Sequence, residues 1–155
     1  MQVNRCALVE QPASRMFDLI EAVEHYPEFV PWCVHTTVLA RDLDSIAARI
    51  RVGYRGITLE FTTRNRKMRP RWMSIDSDDG PFRHFRGEWH LTELGPTACR
   101  IDFELSYEFI PGLAALTAPV MHHVATNLVH AFVQRAEGTR AAFDPANDSP
   151  VEAST

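Results

Sequence analysis

The spacing of apolar residues changes period twice along the chain. "QVNRCALVE" opens as a strand, and Gln11-Pro12 then starts a helix, proline being tolerated in a first turn. Met16, Leu19, Ile20 and Val23 fall at i, i+3, i+4 and i+7, one stripe of that helix, and Pro27 stops it. From Trp32 to Tyr107 the period is two. "SIAARIRV" sets Ile46, Ala48, Ile50 and Val52 against two arginines, and "GITLEFTTR" sets Ile57, Leu59, Phe61 and Thr63 against Thr58, Glu60, Thr62 and Arg64. "HFRGEWHLTEL" sets Phe85, Gly87, Trp89 and Leu91 against Arg86, Glu88, His90 and Thr92. "CRIDFELSYEF" is the cleanest, with Ile101, Phe103, Leu105, Tyr107 and Phe109 opposite Asp102, Glu104, Ser106 and Glu108. "RWMSIDS" alternates weakly and reads as an edge or twisted strand. One apolar and one polar face per strand describes an antiparallel sheet wet on one side, and the short turn segments between strands suit a meander.

The period then returns to 3.6. A helix is expected from about Ala118 to Glu137, with Val120, Met121, Val124, Leu128, Ala131 and Phe132 on its apolar face and Gly138 as its C-terminal stop. A curved antiparallel sheet whose dry face is covered by this helix satisfies every stripe, so the fold is α+β in two layers. The folded domain is expected over residues 1–138. The remainder, 139–155, is rich in Ala, Asp, Pro, Ser and Thr and reads as a disordered tail.

The segment "EHYPEFVPWC" breaks both periods. Pro27 and Pro31 forbid regular structure just before them, so residues 24–33 form a rigid corner carrying Tyr26, Phe29 and Trp32. A sheet bent round a helix can be filled solid or left hollow, and interiors are normally dense. Two features favour a hollow. Gly53, Gly87 and Ala48 interrupt the large rings of the dry face, and both this corner and "FIPGLAALTAP" are apolar where loops are usually polar. Apolar loops at the end of a sheet look like the lips of a pocket for a greasy ligand.

Composition and charge narrow the partners. The 155 residues suit one domain, and a net charge of −4 from 16 basic and 20 acidic side chains argues against a general nucleic-acid binder, DNA included. Lys67 is the chain's only lysine. Cys6, Cys33 and Cys99 are widely spaced without a CxxC, which fits buried thiols in a reducing compartment. "MQVNRCALVE" has no apolar run long enough for a signal peptide, and no window approaches a membrane span, so a cytoplasmic protein is expected, with room for a peripheral contact with the inner membrane.

Catalytic signals are sparse. There is no GxSxG, HExxH or Gly-rich phosphate loop. His123, Asn127, His130 and Gln134 share a helical stripe that lacks a thiolate or carboxylate, and with His122 they read as a solvated polar face, with no metal expected. Asp102, Glu104 and Glu108 lie on the wet strand face, and the cavity-facing positions offer little beyond Tyr107, Thr63 and Asn127. No catalytic residue is assigned and the chain is not expected to be an enzyme. The run "RNRKMRPR" concentrates Arg64, Arg66, Lys67, Arg69 and Arg71 at a strand connection. It is a solvated hairpin tip or a patch for an anionic partner, ribosomal RNA or a membrane headgroup surface, which Arg83 and Arg86 would extend.

"HYPEFVPWC", "FTTRN", "DGPF" followed by "GEW", "CRIDFELSYEF" and "HHVATNLVHAFVQRA" occur in this order. With them the chain resembles the coenzyme Q-binding START-like family, which includes the bacterial ribosome association toxins, within the wider Bet v 1-like, helix-grip superfamily of polyketide cyclases and lipid carriers. The likeness runs from about residue 2 to 140. It implies a seven-stranded sheet gripping the C-terminal helix, two short helices after the first strand, a cavity between sheet and helix, and no cofactor beyond a lipid-like ligand. The function it implies is a carrier or chaperone for a polyprenyl quinone such as ubiquinone, supporting respiration. Ligand contacts are expected from Tyr26, Phe29, Trp32, Phe61, Trp89, Phe103, Tyr107, Met121, Val124 and Leu128. The alternatives are a toxin that binds the large ribosomal subunit through the basic run and blocks subunit association, and a polyketide cyclase or aromatase.

Overall fold

Strand alternation and helix stripes resolve into eleven segments. The structure, a computed structural model, describes residues 2–143 and the side chains through Gly138. In chain order these are β1 (Gln2–Val9), α1 (Ala13–Glu21), a 3-10 turn (Val23–His25), α2 (Tyr26–Phe29), β2 (Cys33–Arg41), β3 (Ser45–Tyr54), β4 (Ile57–Met68), β5 (Trp72–Ser77), β6 (Phe82–Gly95), β7 (Ala98–Phe109) and α3 (Ala114–Phe143). The seven strands form one antiparallel sheet in the order β1-β7-β6-β5-β4-β3-β2. Strands β2 to β7 are a meander, and β1 closes it from the far side by pairing with β7. The two short helices expected after β1 are present as α1 and α2.

The β3–β4 turn shows why the meander turns so tightly. Arg55 and Gly56 both have positive φ (53° and 83°), the backbone that matches a two-residue hairpin to strand twist. At Gly80 (φ 64°) an added Cβ would lie 2.5 Å from the Glu60 carbonyl oxygen, so only glycine fits. Beside it Asp79 accepts a hydrogen bond from the Thr62 amide at 2.7 Å, fixing the β5–β6 turn against β4.

The core lies between the curved sheet and α3. Trp89, Phe103, Ile101 and Met73 rise from the sheet, Phe17 and Ile20 from α1, and Met121 and Phe132 from α3, all essentially without exposure. The rings of Trp89 and Phe132 meet edge to face at 5.2 Å.

Several expectations need correction. "RWMSIDS" is not an edge: β5 is the middle strand of the seven, its Met73 fully buried. Helix α3 begins before Ala118 and continues through Gly138 to Phe143, a length of about 45 Å. Pro119 is tolerated because it and Ala115, whose carbonyl loses its partner, are both exposed to water. Gly138 therefore does not stop the helix, and the expected tail from residue 144 onward lies outside the described residues. Cys33 and Cys99 are buried, but Cys6 is exposed because it points outward from edge strand β1.

Candidate functional site

The proline-bounded corner closes one end of the space between sheet and helix. Tyr26 donates its hydroxyl hydrogen to the Ile20 carbonyl at the end of α1. Its ring stands edge-on to Phe29 and Phe132. Burial pushes the Tyr26 phenol well above its ordinary range and the Cys33 thiol up to about 11, so both stay protonated.

Behind this corner lies a cavity of about 80 Å³. Its walls are Tyr26, Val30, Trp32 and Cys33 from the corner, Ile50 and Val52 from β3, Phe61 and Thr63 from β4, Ile75 and Phe85 from β5 and β6, Phe103 and Leu105 from β7, and Met121, Val124 and Leu128 from α3. No carboxylate, imidazole, amine or guanidinium is among them. Thr63 turns its hydroxyl toward the Ala48 carbonyl at 3.5 Å. Such a lining offers dispersion contacts and desolvation to a hydrocarbon group, and no proton to move.

Seven of the ten expected contact residues line this space: Tyr26, Trp32, Phe61, Phe103, Met121, Val124 and Leu128. Trp89 does not, because it is packed between Phe103 and Phe132. Tyr107 lies with Phe82 and Phe109, away from the cavity. Phe29 faces a second hollow, a groove of about 410 Å³ shared with Pro31, Trp32, His123, Asn127, His130, Ala131 and Gln134. The second expected lip, "FIPGLAALTAP", contributes nothing to the cavity, and its Ile110, Leu113 and Leu116 are exposed elsewhere. The hollow does not come from missing side chains at glycine either. Gly53 faces the outer side beside Val34 and Thr58, and the space over Gly87 is taken by Leu105 and Phe103.

The basic run is not one patch. Strand β4 keeps its alternation through Met68, which turns Asn65 and Lys67 to the dry face. The Lys67 side chain is only 3% exposed and donates to the Glu21 carboxylate at the end of α1. Arg69 bonds Glu21 at 2.7 Å and Asp18 at 2.6 Å and lies over the Phe17 ring. Burial alone would raise the Glu21 pKa, but the bond and charge of Lys67, joined by Arg69, outweigh it and hold the carboxyl below its ordinary value. Arg64 sits 3.8 Å from Asp78, and Arg86 is held by Asp76 and Glu88. Arg66 and Arg71 remain exposed without a carboxylate partner among the described residues. Sequence reasoning took Lys67 for a surface charge. Its inward position was readable from the period of two, which runs Phe61, Thr63, Asn65, Lys67.

The His stripe is less solvated than expected. His123 stacks on Tyr54 at 4.1 Å with the rings 15° apart, and the Trp32 ring meets it edge-on at 5.5 Å. His122 and His130 are exposed.

Residues 9–133, which contain every wall of the cavity, match the model of the family described as polyketide cyclase / dehydrase and lipid transport. The chain belongs to this polyketide cyclase and lipid transport family. Among its relatives are the ribosome association toxin RatA of Pseudomonas aeruginosa, 34% identical over 136 residues (87% of this chain, 94% of the relative), and RatA of Escherichia coli strain K12, 36% identical over 137 residues (88% and 87%). The mitochondrial coenzyme Q-binding protein coq10 of Schizosaccharomyces pombe is 27% identical over 137 residues (84% and 83%). The family fold recurs in the Zhui aromatase/cyclase of Streptomyces sp. R1128, with a TM-score of 0.75 at 16% identity (96% of this chain, 99% of that one). It recurs too in a START superfamily protein of Mycobacterium smegmatis, with a TM-score of 0.74 at 19% identity (89% and 98%). These likenesses establish the helix-grip, START/Bet v 1-like architecture: a seven-stranded curved sheet and a long C-terminal helix. Among the described residues no helix is long and apolar enough to cross a membrane.

Proposed function

We propose that this protein binds the hydrophobic chain of a small amphiphile, a polyprenyl quinone such as ubiquinone, between the sheet and α3, and carries or chaperones it for respiration. The observation that carries the reading is the cavity wall itself: fifteen residues from six elements and the corner, none of them charged. The coenzyme Q-binding relative supports the choice of ligand class. At about 80 Å³ the space is roughly half the ~150 Å³ of an engineered cavity that admits benzene, so a chain enters only as α3 and the corner yield. Val124 and Leu128 are the half-buried walls on α3. Titration with ubiquinone analogues of increasing chain length, followed by quenching of tryptophan fluorescence, tests this. Affinity should rise by up to about fourfold per methylene until the site is full. Leu128→Arg should abolish that rise while the sheet stays folded. An affinity independent of chain length would contradict the reading.

A second reading is association with the large ribosomal subunit, favoured by the relatives that are 34% and 36% identical and bear the toxin's name. Arg66 and Arg71 are the exposed cations of the run left for it. Co-sedimentation with the large subunit should be lost in an Arg66→Glu, Arg71→Glu variant, and unchanged co-sedimentation would move the contact elsewhere.

A further inference from the structure

We infer that the groove outside the corner is the head-group subsite for the same amphiphile, so that the polar ring rests in the groove while the chain occupies the cavity. The inference rests on the proposed ligand class and adds where each end of the ligand lies.

A quinone ring carries only hydrogen-bond acceptors, and burying them without donors is costly. The cavity has no donor to spare: the Thr63 hydroxyl is turned to Ala48, the Tyr26 hydroxyl to Ile20, and Cys33 is a weak donor. The groove is its complement. Trp32 is a wall of both spaces, so one indole ring separates 80 Å³ of hydrocarbon lining from 410 Å³ of mixed lining.

One side of the groove is apolar, with Phe29 and Pro31, and the other is the stripe of α3 bearing His123, Asn127, His130 and Gln134. These positions recur at i, i+4, i+7 and i+11, so they share one helix face. His123 is fixed by its stack on Tyr54. The Asn127 amide nitrogen donates to the His123 main-chain carbonyl at 2.8 Å and lies 3.5 Å from His123 Nδ1, so it orients the imidazole, and the donors free for a ligand are those of His130 and Gln134. The His130 and Gln134 side chains have no hydrogen-bond partner among the described residues. Trp32 is only 6% exposed, and its indole N–H has no hydrogen-bond partner among the described residues. The groove therefore presents donors beside flat apolar surfaces, which suits an uncharged ring with carbonyl and ether oxygens. No lysine or arginine lines it, so it holds no permanent cation for a phosphate or carboxylate head.

Two probes separate this inference from the reading it rests on: a ubiquinone analogue with a methyl group in place of the chain, and one with a decyl chain. An Asn127→Ala, Gln134→Ala variant should lose about tenfold in affinity for both probes and keep the gain that the chain supplies. His130→Ala serves as a second variant, since its side chain is exposed. In the wild type, nuclear Overhauser contacts from the ring methoxy groups should reach His130. Unchanged affinity in both variants, or methoxy contacts to Phe61 and Phe103 instead, would overturn the head-group subsite and leave the cavity reading standing. No binding of the decyl probe by folded wild-type protein would overturn both.

Discussion

Val124→Leu puts the cavity to a direct test, because it adds one methylene to a wall of an 80 Å³ space. At about 24 cal/mol per Å³, an empty space of that size costs the fold roughly 2 kcal/mol, which caps what filling it can return. One buried methylene contributes about 0.8 kcal/mol, and leucine fits a helix a few tenths of a kcal/mol better than valine. Val124 is only partly buried, so the expected net gain is about 1 kcal/mol. Urea unfolding followed by tryptophan fluorescence should show a higher midpoint with an unchanged slope, and thermal unfolding a rise of about 3 °C. The same variant should bind a decyl-chain quinone more weakly, since side chain and ligand compete for one space. Destabilisation by 1 kcal/mol or more would mean that the site is already full. A stabilised variant with unaltered quinone binding would mean that the space is real but is not where the ligand goes.

Four other outcomes follow from the structure. Glu21→Gln leaves Lys67 buried without its counter-charge and should cost about 3 kcal/mol, while adding Lys67→Met should restore most of the loss in denaturant titrations. Because the folded Glu21 pKa lies below its ordinary value of 4.5, its contribution is present above that pH and is lost as pH falls through the native value, so Glu21→Gln should flatten the acid limb of the stability profile. With a thiol reagent, Cys6 should react at once and Cys33 and Cys99 only on unfolding, and three equally fast thiols would contradict the burial of the latter two. Gly80→Ala should lose more than about 2 kcal/mol, from the left-handed backbone and the clash with the Glu60 carbonyl together, and a neutral result would refute that turn geometry.

The elements were legible because one-sided burial writes its period into the chain. Ile101, Phe103, Leu105 and Tyr107 all point inward as their alternation indicates, and so do Met121, Val124 and Phe132 of α3. What was not legible depends on neighbours distant in sequence. β5 is short, so its own pattern is faint, and only pairing with β4 and β6 puts it at the centre. Both ends of α3 were misjudged because Pro119 sits where it and the Ala115 carbonyl reach water, and because an exposed glycine such as Gly138 does not by itself end a helix. Seven cavity-lining residues were legible from face and aromatic character, whereas Trp89 lies outside the cavity because a dry-face ring can be packed by Phe132 as easily as left facing a void. The fate of the basic run needed Asp18 and Glu21, carboxylates some fifty residues earlier that α1 brings beside it.

The central claim is that the space between sheet and α3 holds a polyprenyl quinone, and its most direct test is to look for one. Protein purified without detergent from a quinone-producing bacterium is extracted with organic solvent, and the extract is read by absorbance and mass spectrometry. The account predicts a polyprenyl quinone close to one per protein, reduced in Leu128→Arg. An empty extract from protein shown to be folded would contradict it.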